Sequence, residues 1–260
     1  MEKEICWNIT ARCNQNCKYC HRFLNINDLT YDENLNILNN LENSGITSIT
    51  WTGGEALLLK GIDDLLKISY EKGIKNKIIT NGKLLTKERI DKIYKYLDSI
   101  TLSIDSVDDN INDSLGRGKK HFTEIKEILD YIKEKKYDVK IRINSVICKN
   151  NINKFSDLIY FLNDYNIYSW RIFKFMPLRE KSIINKDLFD IALFDYNEVV
   201  KYIKSNSNIK NIDTRIDEDM EKKYVLILAN GDIVITNKGK DERVGNALKD
   251  DIEEYISLNI

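Results

Sequence analysis

Glu4-Ile5-Cys6-Trp7-Asn8-Ile9-Thr10 reads as a strand, and after Ala11 and Arg12 the chain continues as Cys13-Asn14-Gln15-Asn16-Cys17-Lys18-Tyr19-Cys20. A C-x3-C-x2-C run on the loop leaving a first strand gathers three thiolates at one strand end. Three thiolates can hold three irons of a [4Fe–4S] cluster and leave the fourth iron open to a further ligand. A zinc site is the alternative, and with it a zinc-stabilised binding module. Structural zinc takes four ligands, and His21 adjoins Cys20 too closely for easy tetrahedral closure.

The rest of the composition narrows the setting. The 260 residues carry 40 Lys+Arg against 41 Asp+Glu, a net charge of −1. Without a basic excess, wholesale binding to nucleic acid or to an anionic membrane is not expected. No apolar run approaches a membrane span. The first residues enter a strand and do not form a signal peptide, so a cytoplasmic location is expected. The cysteines are Cys6, Cys13, Cys17, Cys20 and Cys148. Their odd count and their clustering argue against a disulfide framework. Cys6 and Cys148 lie in strand-like runs and are expected in the core.

Outward from the cysteine loop, strands and helices alternate. Strands are expected at Glu4–Thr10, Ile46–Thr52, Lys77–Thr80, Ser99–Asp105, Val139–Cys148 and Ser169–Met176. Helices are expected at Leu29–Ser44, Ile62–Lys72, Thr86–Leu97, His121–Lys136 and Ile152–Tyr165. Such alternation predicts an α/β fold with a parallel sheet: an open, partial (β/α)6 TIM-like barrel or a doubly wound sheet. Both bind ligands at the C-terminal ends of their strands. The chain divides into a barrel, 1–180, and a C-terminal α+β extension, 181–260. The extension carries a helix over Leu188–Ser205, a hairpin around Asn230-Gly231 and a last helix over Lys249–Ser257.

Each later strand end bears a polar or glycine signature. Thr52-Gly53-Gly54-Glu55-Ala56 follows strand two. Paired glycines let a backbone come close to a ligand, and Glu55 can accept from an ammonium group. Asn81-Gly82 follows strand three. Ser103 and Asp105 end strand four, and Arg117, within Gly116-Arg117-Gly118, can pair with a carboxylate. Taken singly these are ordinary turn and strand-end residues. Together they line one rim.

The cysteine run with Gly-Gly-Glu resembles the radical S-adenosylmethionine (SAM) superfamily from about Ile5 to Met176. The resemblance implies that Cys13, Cys17 and Cys20 bind the cluster, whose open iron is chelated by the methionine end of SAM. It further implies that Tyr19 lies by the adenine and that Gly53, Gly54 and Glu55 hold the SAM ammonium. Asn81 joins that cofactor rim, and Ser103 and Arg117 contact the ribose or carboxylate end. The implied chemistry is reductive SAM cleavage to a 5′-deoxyadenosyl radical, which takes a hydrogen atom from substrate. A one-electron reductant such as flavodoxin or ferredoxin is the implied partner. Ala56 departs from the usual proline after Gly-Gly-Glu.

Leu102-Ser103-Ile104-Asp105-Ser106, Ile143-Asn144-Ser145-Val146-Ile147 and Trp170-Arg171-Ile172-Phe173 resemble the viperin-like branch. That branch implies a lyase of antiviral defence that removes water from a nucleoside triphosphate. The reaction begins at the ribose C4′ hydrogen and gives the 3′-deoxy-3′,4′-didehydro nucleotide. Arg142 and Asn144 share one face of strand five, and Arg171 lies on strand six. Basic residues pointing into a barrel need an anion, so Arg142, Asn144 and Arg171, with Lys238 and Lys240 of the tail, are the candidate substrate contacts. Tyr224 matches a tyrosine-bearing strand of the family and is a candidate late hydrogen donor. Arg142 and Ser169 depart from the residues usual in that branch. The rival is another radical SAM enzyme of the same core, acting on a peptide or a cofactor precursor. Peptide-modifying relatives commonly carry auxiliary clusters in a cysteine-rich tail, and no cysteine follows Cys148.

Overall fold

The computed structural model describes residues 2–220, 225–237 and 240–256. Ten strands form one sheet: β1 Glu4–Thr10, β2 Ser48–Gly53, β3 Lys75–Thr80, β4 Ser99–Ser103, β5 Lys140–Ile147, β6 Ile167–Lys174, β7 Ile212–Arg215, β8 Val225–Ile227, β9 Asp232–Asn237 and β10 Lys240–Asn246. Their order is β10-β9-β8-β1-β2-β3-β4-β5-β6-β7. Neighbours from β8 through β1 to β7 pair in parallel, while β8–β9 and β9–β10 are antiparallel. The helices are α1 Tyr31–Asn43, α2 Ile62–Glu71, α3 Lys87–Ile93, α4 Asp109–Leu115, α5 His121–Lys135, α6 Phe155–Leu162, α7 Glu180–Ile184, α8 Lys186–Phe189, α9 Leu193–Asn206 and α10 Glu253–Ile256.

The six expected strands are β1 to β6, in sequential parallel order. The sheet is wider than that expectation. Strands from both expected segments, 1–180 and 181–260, share it: β7 extends it beyond β6, and β8 pairs with β1 at the other side. The Asn230-Gly231 hairpin therefore supplies a parallel neighbour for the first strand as well as its own antiparallel ladder. The expected Leu188–Ser205 helix is broken into α8 and α9.

Side-chain alternation makes the sheet two-faced. Ile5, Trp7 and Ile9 on β1 are fully buried and join one large core cluster with α1, α2 and α5 residues. Trp7 stacks on its register partner Trp51 at 5.1 Å. Cys6, Asn8 and Thr10 face the other way and line a central cavity. On β5, Ile141, Ile143 and Ile147 face the helices while Asn144 and Val146 line the cavity. The α1 N-terminus is secured by a capping box: Thr30 Oγ1 accepts from Glu33 N, and Glu33 accepts from Thr30 N at 2.8 Å. Among the described residues, no helix is long and apolar enough to cross a membrane.

Candidate active site

A cavity of about 330 Å³ opens at the C-terminal ends of the parallel strands, within the size range of small-molecule sites. Cys13, Cys17 and Cys20 all lie on its wall, with Tyr19, Gly53, Gly54, Glu55, Asn81, Ser103, Arg117, Asn144 and Arg171.

The cysteine loop is held by backbone on two sides. On the β2 side, Gly54 N donates to Thr10 O at 2.7 Å and Glu55 N to Arg12 O at 2.9 Å. On the α4 side, Asn16 N donates to Gly116 O at 3.2 Å and Lys18 N to Leu115 O at 2.9 Å. The glycines allow this approach. A Cβ on Gly53 would stand 2.3 Å from Thr10 O, on Gly54 2.1 Å from Arg12 O, and on Gly116 2.3 Å from Asn16 O. The paired glycines thus pack closely on the chain entering the cysteine loop and also line the cavity.

Glu55 is likewise committed inside the protein. It is buried, and it accepts from Thr80 Oγ1 at 2.8 Å, Asn81 N at 2.7 Å and Leu57 N at 3.2 Å. It ties the end of β3 to the end of β2. Burial pushes its carboxyl up, opposed by these donors. Asn81, so placed, turns its Nδ2 to Asn14 Oδ1 at 2.8 Å and to Cys13 Sγ at 3.8 Å.

Asp105 is a second hub. It is buried at the end of β4 and accepts from Tyr19 Oη, from Arg117 Nε and from Val146 N at 2.8 Å. Arg117 also lies over the Tyr19 ring, at 5.6 Å. Among the described residues, neither terminal nitrogen of Arg117 has a protein acceptor. A third chain of contacts runs from Ser103 O through buried His121 to Gln15. The carbonyl can only accept, so His121 Nε2 donates to it at 2.8 Å and Nδ1 accepts from Gln15 Nε2 at 3.2 Å.

The residues present fit a cluster better than a single metal ion. Among the described residues, no three Cys, His, Asp or Glu side chains converge on a point one ion could occupy. Yet the Cys17 thiol feels the charges of both Cys13 and Cys20. Neighbouring but separate thiols suit ligands that each take a different iron. Gln15 N also donates to Cys13 Sγ at 3.4 Å. Burial pushes Cys13 up and Cys17 up to about 11, so metal must displace protons on binding.

The substrate candidates separate. Arg171 is on the cavity wall, and its Nε is taken by Asp213 on β7 at 2.8 Å. Its terminal nitrogens, like those of Arg117, have no acceptor among the described residues. Asn144 is beside it in register. Arg142 faces inward as expected but does not reach the cavity. It sits near the N-terminal end of β5, over the Tyr168 ring at 4.9 Å and near Glu4, which accepts from Lys77 and Thr50 at 2.8 and 2.6 Å. In a parallel strand, that position is two residues too early to meet the cysteine rim. Lys240 is exposed on β10 and off the cavity wall. Lys238 and Tyr224 lie outside the described residues. Cys6, expected in the core, is on the cavity side of β1, where burial pushes its thiol up to about 12. Cys148 is in the core, against Tyr19 and Phe175.

Sequence reasoning missed three cations. Arg22, Lys174 and Arg179 join Arg117 and Arg171 on the wall, where Glu55 is the one carboxylate among the described residues. Lys174 pairs with Asp190 and Arg179 with Asp241. Among the described residues Arg22 has no ion pair, and its Nη1 is buried without a hydrogen-bond partner. Its place two residues after Cys20 was the available signal.

Residues 7–162 match the family model for the radical SAM superfamily. The chain belongs to the radical SAM superfamily. It is a radical SAM enzyme, and its cofactors are a [4Fe–4S] cluster and SAM. The S-adenosylmethionine-dependent nucleotide dehydratase of Flammeovirga pacifica is 32% identical over 227 residues, covering 83% of this chain and 76% of that protein. The protein of the same name from Lacinutrix mariniflava is 28% identical over 228 residues, and the match covers 83% of this chain. It covers only 46% of that relative, so the radical SAM enzyme described here spans less than half of it. Among solved structures, Streptococcus suis SuiB bound to precursor peptide SuiA superposes with a TM-score of 0.80 at 22% identity. That match covers 98% of this chain and 64% of SuiB. Native anSMEcpe with bound AdoMet gives a TM-score of 0.76 at 16% identity, covering 98% and 81%. These likenesses establish the shared fold.

Proposed function

We propose that this radical SAM enzyme dehydrates a nucleoside triphosphate, opening with abstraction of the ribose C4′ hydrogen and yielding the 3′-deoxy-3′,4′-didehydro nucleotide. The observation that carries the reading is the charge of the cavity. Among the described residues five cations line it against one carboxylate; Arg117, Arg171, Lys174 and Arg179 are each ion-paired, and Glu55 already accepts three internal hydrogen bonds. Arg22 presents an orphaned guanidinium N–H there. A buried guanidinium N–H left without an acceptor is costly, and phosphate oxygens suit guanidinium donors. The two relatives named as nucleotide dehydratases support the same substrate class.

In this reading Cys13, Cys17 and Cys20 hold the cluster. Gly53, Gly54, Glu55 and Asn81 shape the wall that receives the amino-acid end of SAM, with Ser103 and Arg117 toward its ribose and carboxylate. Together the bound groups supply one-electron SAM cleavage and hydrogen abstraction. The chain's own work is placement. Asp105 fixes Arg117 and Tyr19, Asp213 orients Arg171 with its terminal nitrogens free, and Asn144 stands beside Arg171. Phe173, Phe175, Leu226 and Leu228 provide apolar wall that keeps water from the reacting centre. The electron comes from a flavodoxin- or ferredoxin-type carrier, and the setting is the cytoplasm.

The test is anaerobic incubation of the reconstituted protein with SAM, a reductant and each nucleoside triphosphate. One of them should stimulate release of 5′-deoxyadenosine well above background; stimulation by none would overturn the reading. Arg22→Ala and Arg171→Ala should each raise the KM for that nucleotide while leaving iron content unchanged. Cys17→Ala should lose the iron.

A further inference from the structure

Cys13 and Cys17 stand in opposite electrical surroundings. Cys13 Sγ faces donors: Gln15 N at 3.4 Å and Asn81 Nδ2 at 3.8 Å. Cys17 Sγ faces a side-chain acceptor, Gln15 Oε1 at 3.7 Å. Gln15 therefore touches both cysteines, with its backbone N–H on one and its side-chain carbonyl on the other.

The Gln15 amide is held in that orientation from behind. Gln15 and His121 are both buried. His121 opens α5 and reaches Ser103 O, at the end of β4, with its Nε2 at 2.8 Å. A carbonyl only accepts, so this ring nitrogen carries the hydrogen. Burial, with Arg117 nearby, keeps the ring neutral above about pH 4, which leaves Nδ1 as an acceptor. It takes Gln15 Nε2 at 3.2 Å. Turning the amide over would set two buried acceptors against each other, both unsatisfied. The carbonyl end of Gln15 thus has to face Cys17. At 3.7 Å the sulfur and oxygen do not overlap, so exchange of the thiol proton for iron does not force them apart.

We propose that Gln15 lowers the reduction potential of the [4Fe–4S] cluster by holding its carbonyl dipole against the Cys17 sulfur, with His121 as the positioning residue that keeps the amide so turned. The assignment rests on Cys17 as a cluster ligand and not on the nucleotide. Hydrogen-bond donors to ligand sulfurs stabilise the electron added to a cluster and raise its potential. A carbonyl oxygen does the reverse. Its negative end repels that electron, most strongly where water is excluded. Cleaving a sulfonium with one electron needs a strong reductant, so an acceptor at this sulfur serves the chemistry. Besides the other cysteines, the charged neighbours of Cys17 are Arg117 and Asp105. They pair with each other and are left intact by the substitutions below.

The test is a redox titration of the reconstituted enzyme without SAM or nucleotide, followed by EPR of the reduced cluster. Gln15→Leu should raise the ratio of reduced to oxidised cluster at a fixed potential about threefold or more, an upward midpoint shift of about 30 mV at about 59 mV per decade. His121→Leu should raise it at least as much, because the freed amide can turn its N–H to the sulfur. His121→Gln keeps one donor and one acceptor and should hold the wild-type midpoint. Iron per chain should be unchanged in all three. An unchanged midpoint in Gln15→Leu would overturn the assignment. So would a lower one, which would mean that the amide donates to Cys17. A shift in His121→Gln as large as in His121→Leu would take the positioning role from His121. Should Gln15→Leu lose iron, Gln15→Met, close in length and without the dipole, carries the same comparison. Iron retained in Cys17→Ala would instead refute the ligand on which the assignment rests. No readout needs a nucleotide, so a failure here is distinct from a failure of the dehydratase reading.

Discussion

Gly54 shows how much of this site depends on the absence of a side chain. Its Cβ would overlap Arg12 O, a backbone atom that cannot swing away. Gly54→Ala should therefore destabilise the protein by about 1–3 kcal/mol, the usual range for overpacking. It should also lower the iron retained per chain, as denaturant titration and iron analysis would show. His121 makes a second single-residue prediction. Burial, with Arg117 nearby, pushes it down to about 4 from the usual 6.5. The unfolded chain then takes up a proton near pH 6.5 while the folded chain resists until about 4. Between those values the unfolded state binds more protons, so stability falls as pH falls. The loss on going from pH 7 to 4 is about 3 kcal/mol for this residue. His121→Gln should remove about one proton's worth of that slope in denaturation curves measured across the window.

At the scale of elements, Asp105 joins three segments. Its carboxylate takes Tyr19 from the cysteine loop, Arg117 from beyond α4 and the backbone of Val146 on β5. Asn151 closes the joint by donating to the Asp105 carbonyl at 3.0 Å. Asp105→Ala leaves Arg117 buried and unpaired, and breaking such a pair costs about 3–5 kcal/mol. The expected outcome is a lower denaturation midpoint together with loss of SAM binding, read by calorimetry. The serine-x-aspartate pattern was legible in the sequence as part of the rim at the end of strand four. Nothing local revealed that Tyr19 and Arg117 would converge on one carboxylate, because their meeting requires α4 to fold back over the loop.

At the scale of the molecule, the tail completes the sheet. β8 pairs with β1 through Cys6–Leu226 and Trp7–Ile227, and Leu226, Leu228, Ala229 and Thr236 line the cavity. Residues beyond β10 also return to the start of the chain: Asn40 Nδ2 donates to Ala247 O at 3.0 Å, and Lys3 pairs with Glu253 at 3.0 Å. Removing residues 221–260 would strip β1 of its neighbour and leave a long apolar edge, a template for aggregation. The truncated chain should be largely insoluble. Any soluble fraction should exchange β1 amide hydrogens far faster than the full chain, as hydrogen-exchange mass spectrometry would report.

The sequence by itself determined the six parallel strands, their helices and the cysteine loop. Those follow from local periodicity and from a motif spaced along a few residues, and neither needs distant contacts. Only the tertiary structure decided how the motif residues are packed. It set Glu55 and the paired glycines against the cysteine loop and the end of β3 as well as on the cavity wall, left Arg142 off that wall, and brought Arg22, Lys174 and Arg179 to the rim. Each outcome depends on how far along its strand a residue stands and on which chain returns to meet it. That is also why β7, four half-buried residues without an alternating pattern, and the β8–β1 pairing stayed invisible until the sheet was assembled.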